Sequence, residues 1–320
     1  PSGRTASIAC RSARDICGFA DRENDMAESL AHRWGQIIGD GFEMFVRNIL
    51  GEVAQRHGLY LDFKRPRNAR GGQGKVTWQD GYGNKHDLDY VLERGGTEDT
   101  LGVPIAFIES AWRRYTKHSK NKAQEIEAAV MPIALTFSRH QPFCGAVLAG
   151  EFTRNALHQL ESKGFGVLHI PYDSILAAFR ELGIDASSED GVGGTTEEQF
   201  REKIAKWESQ PQPQATNRLL AKLHALHQRE IADFKQRLEA ALTRQVASIR
   251  LTVLRGHSVE CSDVASAIAY LIEEEKSYRL REDGDQREAF EVQVRFNTGA
   301  KIDATFPKRA EAIAFLRSFS

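Results

Sequence analysis

The sequence has few cysteines and no long apolar run, and both shortages narrow the class of protein. Only 4 of the 320 residues are cysteine, and they are scattered, with no CxxC pair and no histidine at zinc-ligand spacing. This usage disfavours a secreted disulfide framework and is typical of a reducing cytosol. No apolar run reaches the roughly 18 residues that a bilayer-spanning helix requires. We therefore expect a cytoplasmic protein without a membrane partner.

An excess of charge of either sign is also missing. The chain carries 43 Lys and Arg against 44 Asp and Glu, a formal net charge of −1, which excludes a globally basic, histone-like DNA binder. The phosphate loop GxxxxGK[ST] is absent, which disfavours an NTP-driven enzyme, and so is the GxSxG elbow of serine hydrolases. The hydrophobic and charged fractions, 41% and 27%, are ordinary for a globular protein. The length is sufficient for about two domains of roughly 150 residues each.

Apolar spacing and composition divide most of the chain into four segments. Residues 1–25 lack apolar periodicity, so we expect a disordered extension, with the functional chain starting at Met26. Residues 26–184 begin with a helical pattern and then alternate strands and helices, which predicts an α/β domain with a mixed sheet. Residues 185–215 are polar and contain QPQPQ, which predicts a linker with a short helix. Residues 216–246 predict one long helix that packs or self-associates.

The last segment, residues 247–320, contains an internal repeat. The stretches ASIRLTVLRGHSVECSDVASAIAYLI and FEVQVRFNTGAKIDATFPKRAEAIAFLRS each predict two strands followed by a helix. A single ββα unit buries its apolar face poorly, so we expect the two copies to share a core in a smaller C-terminal α+β domain. Recognition of DNA, dimerisation and binding of a partner all remain open as its role.

Acidic and basic residues that suit phosphate chemistry are concentrated between positions 64 and 125. Asp87 and Asp89 are two apart on a predicted strand, so their side chains are expected to share a face. Glu109 ends the next apolar strand, where a carboxylate is costly unless it is paired, hydrated or bound to a cation. Converging carboxylates suit Mg²⁺ or Mn²⁺. Two basic clusters flank them and supply charge for phosphate groups: Lys64, Arg65, Arg67, Arg70 and Lys75, and Arg113, Arg114, Lys117, Lys120 and Lys122.

The order helix, hairpin, strand, helix, strand, with D-x-D on the hairpin and Glu109 at the end of the next strand, resembles the PD-(D/E)XK nuclease core. The resemblance covers residues 27–183, and GVPIAFIESAWRRYTKHSKNKAQEI is similar to restriction-endonuclease-like members. It implies a restriction-endonuclease-like core and Mg²⁺-dependent hydrolysis of DNA phosphodiester bonds, with Mn²⁺ as a substitute. Double-stranded DNA is the implied substrate of a restriction-modification enzyme, with a homodimer and a cognate DNA methyltransferase as implied partners.

The resemblance also implies roles for individual carboxylates. In this superfamily, the acid of the hairpin strand and the acid of the following strand hold the metal ion. Carried over, Asp89 takes the first role, with Asp87 as the slightly less favoured choice, and Glu109 takes the second. A carboxylate of the first helix often joins the site, and Glu43 is the candidate, with a solvent-facing helix residue as the alternative.

One position departs from the pattern of the superfamily, in which a lysine follows the acid by two residues. That position is Ala111 here, which implies either an inactive nuclease or a lysine supplied from elsewhere. Helical spacing favours Lys122, four residues before Ile126 on the predicted buried stripe, against the alternative of a surface lysine. Gln124 loosely matches a polar helix residue near the metal. Other basic residues are expected to bind DNA phosphates: Arg67, Arg70, Arg113, Arg114, Lys117 and Lys120.

Two other functions are compatible with these residues. A fold that kept the acids and lost the lysine would be a non-catalytic DNA-binding or assembly module. A nuclease acting on RNA or on single strands would use the same phosphate chemistry, because specificity depends on loops that the pattern does not reveal. Metal-dependent cleavage separates the inactive module from the enzyme.

Overall fold

A computed structural model gives a mixed α/β sheet flanked by helices, followed by a separate antiparallel sheet. The predicted α/β class is confirmed. None of the described helices is both long and apolar enough to cross a bilayer. The expectation for residues 1–25 and the assignment of Lys117 lie outside the described part of the chain. The structure describes residues 29–116, 119–189, 193–253, 258–278 and 289–319.

A mixed sheet forms the centre of the first domain. Its strands and those of a separate hairpin are β1 (Tyr60–Phe63), β2 (Val76–Gln79), β3 (Lys85–Leu88), β4 (Tyr90–Arg94), β5 (Val103–Arg113), β6 (Phe143–Gly150) and β7 (Gly166–Pro171). The spatial order is β1-β4-β5-β6-β7, and β2 pairs with β3 in the hairpin. Pairing is antiparallel from β1 to β5 and parallel from β5 to β7. Parallel neighbours need helical crossovers, which explains the strand–helix alternation of the sequence.

Helices cover both faces of this sheet. They are α1 (Leu30–His57), α2 (Ser119–Thr136), α3 (Arg154–Ser162), α4 (Tyr172–Arg180), α5 (Glu197–Glu208), α6 (Gln212–Leu226) and α7 (Gln228–Leu242). Five helices, α1, α4, α5, α6 and α7, pack against one face of the sheet and form one apolar core with it. Helices α2 and α3 and the hairpin form a second apolar core on the other face. Helix α1 begins after the Ser29 side chain, which accepts the backbone N–H of His32, and ends at Gly58 in a left-handed conformation.

The segment predicted as a linker and one long helix packs on the first domain instead. Helix α5 lies against α1 and buries Phe200 and Ile204. The QPQPQ stretch starts α6 rather than forming an extended spacer, and the helical region is divided at His227. The physical reason is burial: Leu223 of α6 and Phe234 of α7 both join the apolar core of the first domain, which a solvated spacer would not do.

The C-terminal domain consists of two ββα units that share one sheet. Its elements are β8 (Val246–Val253), β9 (Ser258–Cys261), α8 (Val264–Tyr278), β10 (Phe290–Phe296), β11 (Lys301–Phe306) and α9 (Arg309–Arg317). The antiparallel sheet has the order β11-β10-β8-β9, so the first strands of the two units are neighbours at its centre. Residues at matching repeat positions have matching roles: Ala267 and Ala312 are fully buried, as are Leu271 and Leu316.

Candidate active site

The second strand of the predicted hairpin is divided by a bend at Asp89. Strand β3, before the bend, pairs with β2, whereas β4, after it, pairs with β1 and β5 in the main sheet. The expectation that Asp87 and Asp89 share one strand face is therefore wrong. The Asp87 carboxylate accepts hydrogen bonds from Lys75 Nζ and Thr77 Oγ1, each at 2.6 Å. These bonds lower the pKa of Asp87 and keep its charge within the hairpin.

Asp89 and Glu109 lie side by side where β4 and β5 separate. Pairing between the two strands stops at Tyr90 and Ile108, and side chains then replace the ladder. The backbone N–H of Asp89 donates to Glu109 Oε1 at 3.1 Å. In return, the backbone N–H and the hydroxyl of Ser110 donate to Asp89 Oδ2 at 2.8 and 3.1 Å. Each carboxylate is thus fixed by the opposite strand.

Glu109 is 6% exposed, and its environment penalises a negative charge. Burial, followed by the charge of Asp89, raises the pKa of Glu109 to about 8, although the Asp89 N–H and the positive charge of Lys122 act in the opposite direction. Phe107 and Ala111 are buried on the face that α2 covers, so strand alternation directs Glu109 toward the same face. Lys122, on α2, is therefore the lysine whose charge reaches this carboxylate.

The negative charge of Asp89 also acts on a third carboxylate, that of Glu43 on α1. Loss of hydration raises the pKa of Glu43 first, followed by the negative charges of Asp89 and Asp40. The Tyr90 hydroxyl donates to the backbone oxygen of Glu43 at 3.2 Å and so links α1 to β4. Asp89 is consequently coupled to carboxylates on both sides, Glu109 and Glu43.

The donor chemistry of these carboxylates fits a divalent cation. Their oxygens are the hard ligands that Mg²⁺ and Mn²⁺ prefer. Burial first, and then the charge of Asp89, raises the pKa of both Glu43 and Glu109. Within the described residues, no group of three His, Cys, Asp or Glu side chains stands close enough to hold a metal ion. Like charges repel, so these carboxylates are expected to close further around a cation.

Comparison with known proteins identifies no family for this chain: no family model and no curated protein matches it. It is similar to a solved structure described as "Crystal Structure of Protein of Unknown Function AF1548", at 11% sequence identity. The match covers 58% of this chain and 99% of that chain, with a TM-score of 0.27.

Arg67 and Arg70 are enclosed by the protein, so their predicted contact with DNA is wrong. Arg67 is fully buried and donates to both carboxylate oxygens of Glu93, at 2.6 and 3.0 Å, with an ion pair to Asp62 at 2.8 Å. Arg70 pairs with Asp62 at 3.0 Å and donates to backbone carbonyls. Both arginines serve buried acids of β1 and β4, which must be paired when they leave water.

The other predicted DNA-binding residues lie after Glu109, at the end of β5 and the start of α2. Arg113 donates to the carbonyl of the preceding residue at 3.0 Å, and Arg114 donates to Ser188 Oγ at 2.8 Å. Lys120 and Gln124 are exposed on α2. Lys120 therefore remains at the surface, on the same helix as Lys122, whereas Arg113 and Arg114 are half-buried.

Sequence reasoning missed Ser110, Asp62 and Glu93. Ser110 follows Glu109 directly and fixes Asp89, a role that its position beside the acid could have indicated. Asp62 and Glu93 interrupt the apolar strands YLDF and YVLER, and a carboxylate at an apolar strand position indicates a buried partner. That signal pointed to the arginines of the first basic cluster.

Proposed function

We propose that this protein is a Mg²⁺-dependent endonuclease with a restriction-endonuclease-like core that hydrolyses phosphodiester bonds of double-stranded DNA. The observation that carries the proposal is Glu109, a buried acid beside Asp89 at a strand separation, under the charge of Lys122. A strongly shifted acid with a specific charge partner is typical of functional sites. A homodimer, a cognate DNA methyltransferase and a cytoplasmic location belong to the same proposal.

Residues of this chain divide the work in the proposed reaction. Asp89 and Glu109, joined by Glu43, would hold Mg²⁺ or Mn²⁺ through their carboxylate oxygens. When bound, such an ion lowers the pKa of a water molecule and stabilises charge on a phosphoryl group. Ser110 keeps Asp89 Oδ2 in place through two hydrogen bonds, which leaves Oδ1 for a ligand. Lys122 supplies positive charge beside Glu109 and would orient the attacking water.

Asp89→Asn is expected to lower the DNA cleavage rate by at least about 100-fold, because the amide removes a charged ligand. Asp87→Asn is the matched control, since Asp87 is two residues away and is paired within the hairpin. It is expected to stay within about tenfold of the wild type. The assay follows plasmid and linear DNA in Mg²⁺, in Mn²⁺ and in EDTA, and EDTA is expected to stop cleavage.

Two outcomes of that assay contradict the proposal. Equal losses in the Asp87 and Asp89 variants would mean that the charge of the whole hairpin matters rather than one ligand. No cleavage by the wild type on any DNA, combined with salt-sensitive binding, would establish the second candidate, a non-catalytic DNA-binding or assembly module. Ala111, which occupies the usual lysine position, is the observation that favours this alternative.

Lys122→Ala and Lys120→Ala are expected to differ in kind. The charge of Lys122 reaches Glu109, so its loss should lower kcat by about 100-fold with little change in KM. Lys120 is exposed, so its loss should raise KM. It should also reduce the slope of log binding constant against log salt concentration by about one, because one fewer counterion is released from the DNA. Steady-state cleavage of a linear duplex at several salt concentrations separates the two. A kcat loss in Lys120→Ala alone would move the catalytic role to that residue.

A further inference from the structure

A cleft with a volume of about 690 Å³ lies between the two domains and collects basic residues. Arg94 ends β4, Arg139 and His140 follow α2, and Arg244 precedes β8. We call Arg94, Arg139 and Arg244 the arginine cluster. Arg94 ends the strand that begins beside Asp89, and at about 3.3 Å per residue the two are roughly 16 Å apart. The cleft is therefore separate from the candidate active site.

The arginine cluster makes no ion pair within the described residues. No described carboxylate pairs with Arg94 or Arg139. Arg244 donates to neutral acceptors: Gln141 Oε1 at 2.7 Å and the carbonyl oxygens of His140 and Gln141 at 3.2 and 2.5 Å. Burial lowers the pKa of Arg244, and no nearby acid counters that effect. Three guanidinium groups therefore line the same cleft without an ion-paired carboxylate among the described residues.

One carboxylate, that of Asp263, also lines the cleft, and it is hydrogen-bonded to serines close to it in the chain. The Asp263 carboxylate accepts hydrogen bonds from the hydroxyl of Ser262 at 2.9 Å and from the backbone N–H of Ser266 at 2.8 Å. It caps α8 and does not reach across to the arginines in an ion pair. Burial, followed by the charges of Arg94 and Arg139, lowers the pKa of His140, so the charges of both arginines reach the same side of the cleft.

The cleft also has an apolar wall, which we define as Ile105, Leu242, Val264, Phe296 and Phe319. Phe296 and Phe319 are in ring contact, with centroids 6.0 Å apart, and Arg244 lies over the Phe296 ring at 5.0 Å. Pockets of about 300–1,000 Å³ that combine apolar walls with a few charged groups suit small molecules. Arginine forks suit phosphate oxygens, and a planar ring system suits the apolar wall.

We propose that the interdomain cleft binds a free nucleoside di- or triphosphate. The arginine cluster takes the phosphates, and the base lies against the apolar wall. Because Arg94 and Arg139 belong to the first domain while Phe296 and Phe319 belong to the C-terminal domain, the ligand contacts both domains at once. The inference does not depend on the proposed nuclease activity.

Calorimetric titration of the full chain with ADP and ATP, in EDTA, tests this site. The wild type is expected to bind with a Kd below about 100 µM. Arg94→Glu and Arg139→Glu are each expected to weaken binding by at least about tenfold, because each replaces a phosphate-binding charge with a repulsive one. Both arginines are exposed, so the variants should fold, which circular dichroism checks. Arg229→Glu is the matched control, an exposed arginine of α7 outside the cleft, with an expected change within about twofold.

Four results would overturn the proposal. Absence of binding to the wild type removes the site, and an equal loss in Arg229→Glu means that overall charge alone attracts the nucleotide. Inorganic pyrophosphate that binds as tightly as ADP removes the role of the base. The fourth result concerns short duplex DNA. If Arg94→Glu and Arg139→Glu abolish binding of the duplex but leave binding of ADP unchanged, the cleft is a nucleic-acid binding surface.

Discussion

Glu109→Gln is expected to abolish DNA cleavage and, at the same time, to stabilise the folded protein above neutral pH. Cleavage should fall by at least about 100-fold, because a neutral amide is a poor ligand for a divalent cation. Stability should rise because the amide removes a negative charge from a position that is 6% exposed. A residue that weakens the fold while serving a reaction is the expected signature of a functional site.

The pH dependence of this gain follows from the pKa of Glu109. Burial raises that pKa to about 8 in the folded state, against a value of 4.5 for an unperturbed glutamate. Between these values the folded state keeps a proton that the unfolded state has released, so stability of the wild type falls as pH rises through the window. Glutamine does not titrate. The advantage of the variant should be near zero below pH 4.5. It should grow by about 1.4 kcal/mol per pH unit through the window and reach about 5 kcal/mol at and above pH 8.

Urea unfolding of both proteins in EDTA, at about pH 5 and about pH 9, measures this difference. Asp87→Asn is again the control, because its folded-state pKa is lowered by Lys75 and the same acid-to-amide change should not stabilise the fold at high pH. A Glu109→Gln protein that is less stable than the wild type at both pH values would show that Glu109 is a structural partner. The proposed metal site would then lose its main support.

Arg67→Ala is expected to lower the free energy of unfolding by about 3–5 kcal/mol, the largest loss of stability that we predict. The substitution leaves two buried carboxylates, Asp62 and Glu93, without their shared cation. Arg65→Ala is the control, because the pair of Arg65 with Glu98 is partly exposed and should contribute less than about 1 kcal/mol. Urea or thermal unfolding of the three proteins gives the comparison.

Arg67→Ala also decides between the sequence-based and the structural role of this residue. A small stability change, together with weaker DNA binding, would return Arg67 to the DNA-binding surface. A large stability change with DNA binding reduced only in proportion to the folded fraction would confirm the buried role. Arg67→Lys should remain well below the wild type in stability, since an ammonium group does not reproduce the two-pronged contact with Glu93.

Local periodicity made the strand–helix order and the repeat predictable. The alternation between Pro104 and Gly183 is carried by apolar runs and by helix-ending glycines that act over a few residues, and the structure has the same order of elements. The repeat was recognisable because Ala267 and Leu271 match Ala312 and Leu316 in position, and all four side chains are buried. Such signals survive without knowledge of distant contacts.

Features that depend on distant contacts escaped prediction. The bend at Asp89 separates two carboxylates that alternation places on one face, and it arises because β4 pairs with β1 and β5 while β3 pairs with β2. Arg67 lies in a basic, glycine-rich stretch that is typical of an exposed loop, and its burial depends on Glu93, 26 residues away. The division at His227 likewise reflects a core built by other helices.

The shared sheet of the C-terminal domain makes each ββα unit a cover for the backbone of the other. Strands β8 and β10 pair along their length, from Phe290 with Val253 to Arg295 with Ser248. A lone unit would present that row of N–H and C=O groups to the solvent as an open edge, which is a template for association with other chains. The duplication therefore does more than enlarge a core: it replaces an open, association-prone strand edge with an intramolecular partner.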